Sequence, residues 1–239
     1  MKRLLPILAF ALVALYAWPQ QVITARRRVS HGGAAPTWAF VQDASILPCS
    51  ADPCVVNLTN PSTAGSVMVV ELTSTTASNT ITAVSDGVGG TWTTCTGCAV
   101  NSANSALGSI SAAYIVGSPG GATSVSVTDS LSNIEFIAVA EFKCTANCTS
   151  LAFDQAPSSF GDLASCGTCT MSGFTGAASS ALVINVINVG SALPTTPSTG
   201  YVIAPTGLFI YDLAAASGTA GTVVQSPSST FLSSGVSFR

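Results

Sequence analysis

The residues with the most obvious chemistry are eight cysteines, and all of them occur in close pairs: Cys49/Cys54, Cys95/Cys98, Cys144/Cys148 and Cys166/Cys169. The second pair sits in TTCTGCAV, residues 93–100. CTGC and CGTC have the spacing of zinc knuckles, and two sites of four thiolates could be drawn from the four pairs. A CxxC at the start of a helix is instead a redox motif, because the helix dipole lowers the thiol pKa. Here Thr, Ser and Gly surround the pairs, no helical pattern follows, and no histidine is near. In an exported chain the favoured reading is four disulfides, with each cysteine joined to its near neighbour as the simplest connectivity. Loops this small add about 2 kcal/mol each at best on the chain-entropy model. Their expected role is to pin turns at the rims of sheets.

Catalysis has fewer candidates. The single histidine, His31, follows the arginines of RRRVSHGG, and a Ser-His-Asp or Cys-His arrangement would have to use it. The sequence has no GxSxG, HExxH or phosphate-binding loop. Two carboxylates alone suffice for a glycosidase. The pair to consider is Glu71 and Glu141, expected on one concave face with Glu135 nearby; the competing reading makes them acceptors in a polar strip. No catalytic residue, metal or cofactor is assigned.

Sugar-binding sandwiches stack rings on exposed aromatics. Trp92, Tyr114, Tyr201 and Tyr211, with Trp38, are the residues available for that beyond the N-terminal segment. Trp92 follows a Gly-Gly turn in an alternating run, which fits a core position equally well. Asp86 and Asp129 at strand ends could hold Ca²⁺ with loop carbonyls, or simply cap turns. Asn57-Leu58-Thr59 and Asn147-Cys148-Thr149 fit the glycosylation acceptor pattern.

The chain that must position these residues is short of charge. Charged residues make up 7% of it and hydrophobic ones 48%, against about 25% charged in ordinary soluble domains. Lys2, Arg3, Arg26, Arg27 and Arg28 supply five of the seven cations. From residue 29 onward two cations, Lys143 and Arg239, face ten carboxylates, a formal charge of −8. Such a surface repels phosphate backbones, and nucleic acid is excluded as a partner. Leu4–Trp18 is an uncharged apolar run behind Lys2 and Arg3. It is shorter than the roughly 20 residues a membrane span takes, so residues 1–25 are expected to be a secretory signal, or an uncleaved anchor that would be the only contact with a membrane. Residues 26–37 read as a flexible lead-in and 38–239 as one domain.

Within that domain short β-rich runs alternate with turn clusters. The runs are 66–74, 79–85, 109–116, 122–128, 134–142, 181–189, 200–204, 208–214, 221–226 and 231–238, rich in Val, Ile, Thr and aromatics. SDGVGG, GSPGG, LPTTPSTG and SGTAG punctuate them. The stretch 145–180 reads as loop-rich. About ten strands at this spacing predict an all-β fold, a single antiparallel β-sandwich.

The order ITAVSDGVGGTWTT, SAAYIVGSPGGATSVSVT, IAVAEFKC, LAFDQ, SALVINVINVGS and a terminal VSFR resembles a recurrent module. Jelly-roll-like, lectin-like β-sandwiches of unassigned activity have that layout in secreted and cell-surface bacterial proteins and some phage structural proteins. SDGVGG approximates the module's Asp-Ser-x-Gly-Asn hairpin, and the cysteine pairs are an addition to it.

Together these features predict an extracellular or cell-surface protein without enzymatic activity, structural or adhesive, meeting copies of itself or a surface glycan. The apolar N-terminal segment is a candidate strand for addition to a neighbouring copy. A carbohydrate-binding module is the alternative, and a secreted glycan hydrolase a weaker one.

Overall fold

A computed structural model describes residues 36–49, 51–104, 107–132, 135–148, 151–174, 181–190, 193–215 and 221–239. The apolar N-terminal run, the three arginines and His31 lie outside the described residues. Those that are described form fifteen strands, β1–β15 in chain order, and no helix. Every strand pairing is antiparallel.

A five-stranded central sheet has the order β1 (Thr37–Cys49), β8 (Glu135–Ala146), β3 (Val67–Ser74), β6 (Ser109–Val116), β5 (Thr93–Asn101). A small sheet of β2 (Cys54–Asn57), β7 (Ser124–Asp129) and β4 (Ile81–Ser85) covers one of its faces. A large sheet covers the other. Its order is β10 (Gly161–Thr170), β15 (Thr222–Phe238), β11 (Ala181–Val189), β14 (Phe209–Ala215), β13 (Val202–Ile203), with β9 (Phe153–Gln155) and β12 (Pro194–Pro197) also paired to β15.

Strand β3 shows why the sequence folds this way. VMVVELTS has no apolar–polar alternation, and all eight residues are buried. Successive side chains point to opposite faces, so Val67 and Val69 enter the core against the large sheet while Met68, Val70 and Leu72 enter the core against the small one. Strand β8 divides likewise, Ala138, Ala140 and Phe142 to one side and Ile137 and Val139 to the other. A strand covered on both faces reads as a continuous apolar run. Aromatic contacts join the layers: Phe40 stacks on Tyr211 at 5.3 Å and both meet Phe142 edge-on, while Tyr114 stacks on Phe153 at 4.6 Å. A third core forms where the large sheet curls, with Cys169, Met171 and Val223 against Ile187, Ile210 and Phe231.

The all-β antiparallel expectation agrees with this architecture, but three details differ. A third sheet turns the sandwich into three layers. Residues 151–174, within the stretch read as loop-rich, contain β9 and β10. The runs 221–226 and 231–238 are one strand, β15, which passes through Pro227.

Candidate functional site

Each cysteine is bonded to its near neighbour, with Cα–Cα separations of 6.0, 5.2, 5.8 and 5.3 Å in chain order. Four disulfides suit an oxidising compartment. Their positions differ from the expected turns in two cases. Cys49–Cys54 does span the connection from β1 to β2, and Cys144–Cys148 closes the end of β8. Cys95–Cys98 and Cys166–Cys169 instead lie inside β5 and β10, the terminal strands of the central and large sheets. Each coincides with a register shift: Cys95 pairs with Ala112 but the next pair is Val100 with Ile110, and β10 slips between Leu163 and Thr168. Cys95–Cys98 therefore clamps a β-bulge on edge strand β5, a device that interrupts sheet edges. Cys166–Cys169 instead follows an extra residue on β10 and lies opposite extra residues of β15.

The proposed carboxylate pair is not brought together. Glu71 is opposite Ala138 and Ala112 and shares the face of Val67 and Val69, toward the large sheet. Glu141 is opposite Met68 and faces the small sheet. The expectation of one concave face fails because alternation within each strand does not set the register between them. The two environments also differ. Glu141 accepts hydrogen bonds from Gln42 Nε2 at 2.7 Å and the Thr63 amide at 2.6 Å. Glu71 is 1% exposed and neither of its oxygens has a partner, and burial pushes its carboxyl well above the ordinary carboxylate range. The side chain of Glu135 lies outside what is described.

Most other acids hold loops. Asp86 accepts from the amides of Val88 and Gly90 and from Trp92 Nε1, fixing SDGVGG. Asp129 accepts from Asn79 Nδ2 and the Ser132 amide, and Asp43 from the amide and hydroxyl of Thr206. Asp162 on β10 accepts from Ser102 Oγ and the amides of Ala103 and Asn104, tying the large sheet to the end of β5. Asp86 and Asp129 thus act as turn caps, and no cluster of metal-ligating side chains occurs among the described residues.

The aromatics do not form a solvent-facing cluster. Trp38 is 4% and Tyr211 6% exposed, both within the core between the central and large sheets. Trp92, Tyr114 and Tyr201 are half-buried. Tyr201 and Tyr211 have raised pKa values, from burial first and then from Asp212 and Asp43 respectively. Asn57 and Asn147 are both exposed; Thr149 lies outside the described residues.

Two clefts remain that the sequence did not indicate. One, of about 210 Å³, opens at the end of the sandwich where β3 finishes; Leu47, Phe136, Val189, Leu193 and Leu208 line it. The other, of about 220 Å³, runs between β4 and β5, where the small sheet stops and the outer face of β5 is left open. Thr80, Thr94, Thr96 and Ser111 line it with Ile81 and Ala112. A partial signal was present: the exposed threonines Thr94 and Thr96 flank Cys95 and both line the cleft.

Comparison with known proteins gives no match to any family model, curated protein or solved structure. Function must therefore be argued from these residues.

Proposed function

We propose that the chain is an exported, non-enzymatic surface protein, structural or adhesive in role, that associates end to end with copies of itself. The observation that carries this reading is the apolar cleft at the end of the sandwich. Leu47 and Leu193, 52% and 51% exposed, flank it. At about 210 Å³ it is smaller than the roughly 300–1,000 Å³ of pockets for drug-sized ligands, and it fits one apolar side chain.

The occupant we assign is Val88 of a second copy. Val88 is 40% exposed between Gly87 and Gly89, both at positive φ, in the loop that Asp86 holds. That loop lies at the opposite end of the central sheet, since Gly90 abuts Ile115, the partner of Met68 at the start of β3. A contact between unlike ends of identical subunits propagates unless its rotation closes a ring. No charged side chain lines the cleft, so the contact buries no charge there. The excess of carboxylates over Lys143 and Arg239 beyond residue 28 makes the subunits repel at low salt and assemble more readily as salt is added. The bulged edges of β5 and β10 are poorer surfaces for growth than the ends.

The test is light scattering and electron microscopy of the full, oxidised chain. The wild-type protein should assemble as concentration rises, and a variant carrying Leu47→Asp and Leu193→Asp should stay monomeric. A wild-type chain that is monomeric throughout, or a double variant that still assembles, defeats the proposal.

A further inference from the structure

We infer that the cleft between β4 and β5 is a binding site for a neutral saccharide ring. The cleft's chemistry selects the ligand class. None of the residues lining it carries a charge, so it offers nothing to a sulfated, phosphorylated or carboxylated ligand beyond hydrogen bonds. Four hydroxyls, from Thr80, Thr94, Thr96 and Ser111, surround a floor that includes Ile81 and Ala112. Such a mixture of hydroxyls and apolar carbon complements a sugar, whose ring presents both.

The hydroxyls differ in what they already hold. Ser111 Oγ accepts the Ile81 amide at 3.0 Å, which ties the first residue of β4 to the central sheet. The Thr80 hydroxyl lies 3.5 Å from Ser130 Oγ. Thr94 and Thr96 are exposed, and no described residue takes up their side-chain hydroxyls. These two are therefore available to a ligand. Just before β5, Trp92 packs half-buried against the core under the small sheet, with its Nε1 donating to Asp86 at 3.3 Å.

The rim is rigid before any ligand arrives. Cys95–Cys98 closes the bulge that carries Thr96 and Gly97, and Cys98 is fully buried beneath it. A preformed wall spares a ligand the cost of ordering it. The same bulge argues against the other occupant of an open strand edge, an added peptide strand, because it breaks the straight run of backbone groups that strand addition needs. At about 220 Å³ the space suits one ring, so a longer glycan would be gripped at a single unit. The site depends on the exported, surface reading only for where such a glycan would be met, and it does not depend on end-to-end assembly.

The full, oxidised chain can be titrated with tetrasaccharides of glucose, mannose, galactose and N-acetylglucosamine, with a heparin tetrasaccharide and an extended Ser/Thr peptide for comparison. Amide chemical shifts and calorimetry are the readouts. At least one neutral saccharide should shift the amides of Ile81, Thr94 to Ala99, Ser111 and Ala112. A variant with Thr94→Val and Thr96→Val, which keeps shape and removes the free hydroxyls, should bind about tenfold more weakly. Thr196→Val, exposed on β12, should bind as wild type. The inference is overturned if no neutral saccharide shifts those amides, if heparin or the peptide alone does so, or if the double valine variant binds unchanged. Because this readout is taken on monomer or assembly alike, its failure is distinct from failure of the end-to-end contact.

Discussion

Replacing Glu71 tests whether a carboxyl group is held neutral in the middle of the protein. Its strand neighbours at that level are Ala112 and Ala138, and it faces a core of apolar and aromatic side chains. Tyr114 and Tyr211 on that core are shifted upward by burial, Tyr211 also by Asp43, and so are neutral over the range that matters. In the unfolded chain Glu71 titrates near the ordinary value of about 4.3. In the folded protein burial raises its pKa well above that. Below about pH 4.3 both states are protonated and folding is not opposed. As pH rises past that value the unfolded chain ionises while the folded protein keeps its proton, so stability falls by about 1.4 kcal/mol per pH unit. The fall stops once pH passes the folded pKa. Glu71→Gln keeps the shape and abolishes the titration; Glu71→Met also removes two unpartnered oxygens, worth about 1–3 kcal/mol in the neutral form. Urea unfolding of the oxidised chain between pH 4 and 8 measures each variant against wild type. The difference between wild type and Glu71→Gln should be small at pH 4 and widen with the slope given above. Carboxylates that accept hydrogen bonds, such as Glu141 and Asp162, are present in both proteins and cancel. A difference that does not change with pH would mean that Glu71 reaches solvent or a cation, and the reasoning would fall.

Three further substitutions probe the loops and strand ends around the layers. Gly108 has φ +74°, and a methyl group there would come within 2.2 Å of the Ser74 carbonyl oxygen. Gly108→Ala should therefore cost at least about 2 kcal/mol, or about 4–8 °C in Tm. Gly117→Ala, at φ +77° but with open space around it, should cost only about half as much in the same thermal melt. Asp162→Ala removes the acceptor of Ser102, Ala103 and Asn104. It should cost about 1.5–3 kcal/mol and speed hydrogen exchange at the Ala103 and Asn104 amides, which an unchanged exchange rate would contradict.

The parts of this architecture legible in the sequence are those set by local pattern. Alternation placed Ile137, Val139 and Glu141 on one side of β8 and Val67, Val69 and Glu71 on one side of β3 correctly within each strand. What joins the strands is register, and no single strand records it: Glu141 falls opposite Met68, not opposite Glu71. Three strands of the two larger sheets were obscured for related reasons. β1 carries three register irregularities and a buried Gln42 that serves Glu141, so its pattern is broken. β10 is built from Gly, Ser, Thr and Cys, which read as loop, and Pro227 made β15 look like two strands. The cysteine spacing revealed the partners. It could not reveal that Cys95–Cys98 closes a bulge inside a strand, because a CxxC turn and a CxxC bulge have the same sequence. The β4–β5 cleft exists only because one sheet is narrower than the next, a property of the assembled layers.

Glu71 also has a consequence for how the chain reaches its fold. Its β3 neighbours, β6 and β8, begin at Ser109 and Glu135, so VMVVELTS must wait for long-range partners. An apolar, strand-prone segment left open during slow pairing is a site of aggregation. While it waits, Glu71 is exposed and ionised, and a charge in the centre of that segment discourages it from pairing with other chains. When β6 and β8 close over it, the carboxyl takes up a proton and the charge disappears. The residue thus acts as a gatekeeper during folding at the expense of the folded state. Glu71→Met should accordingly gain stability yet give a lower yield of soluble protein on refolding at neutral pH, and an equal or higher yield would refute that role.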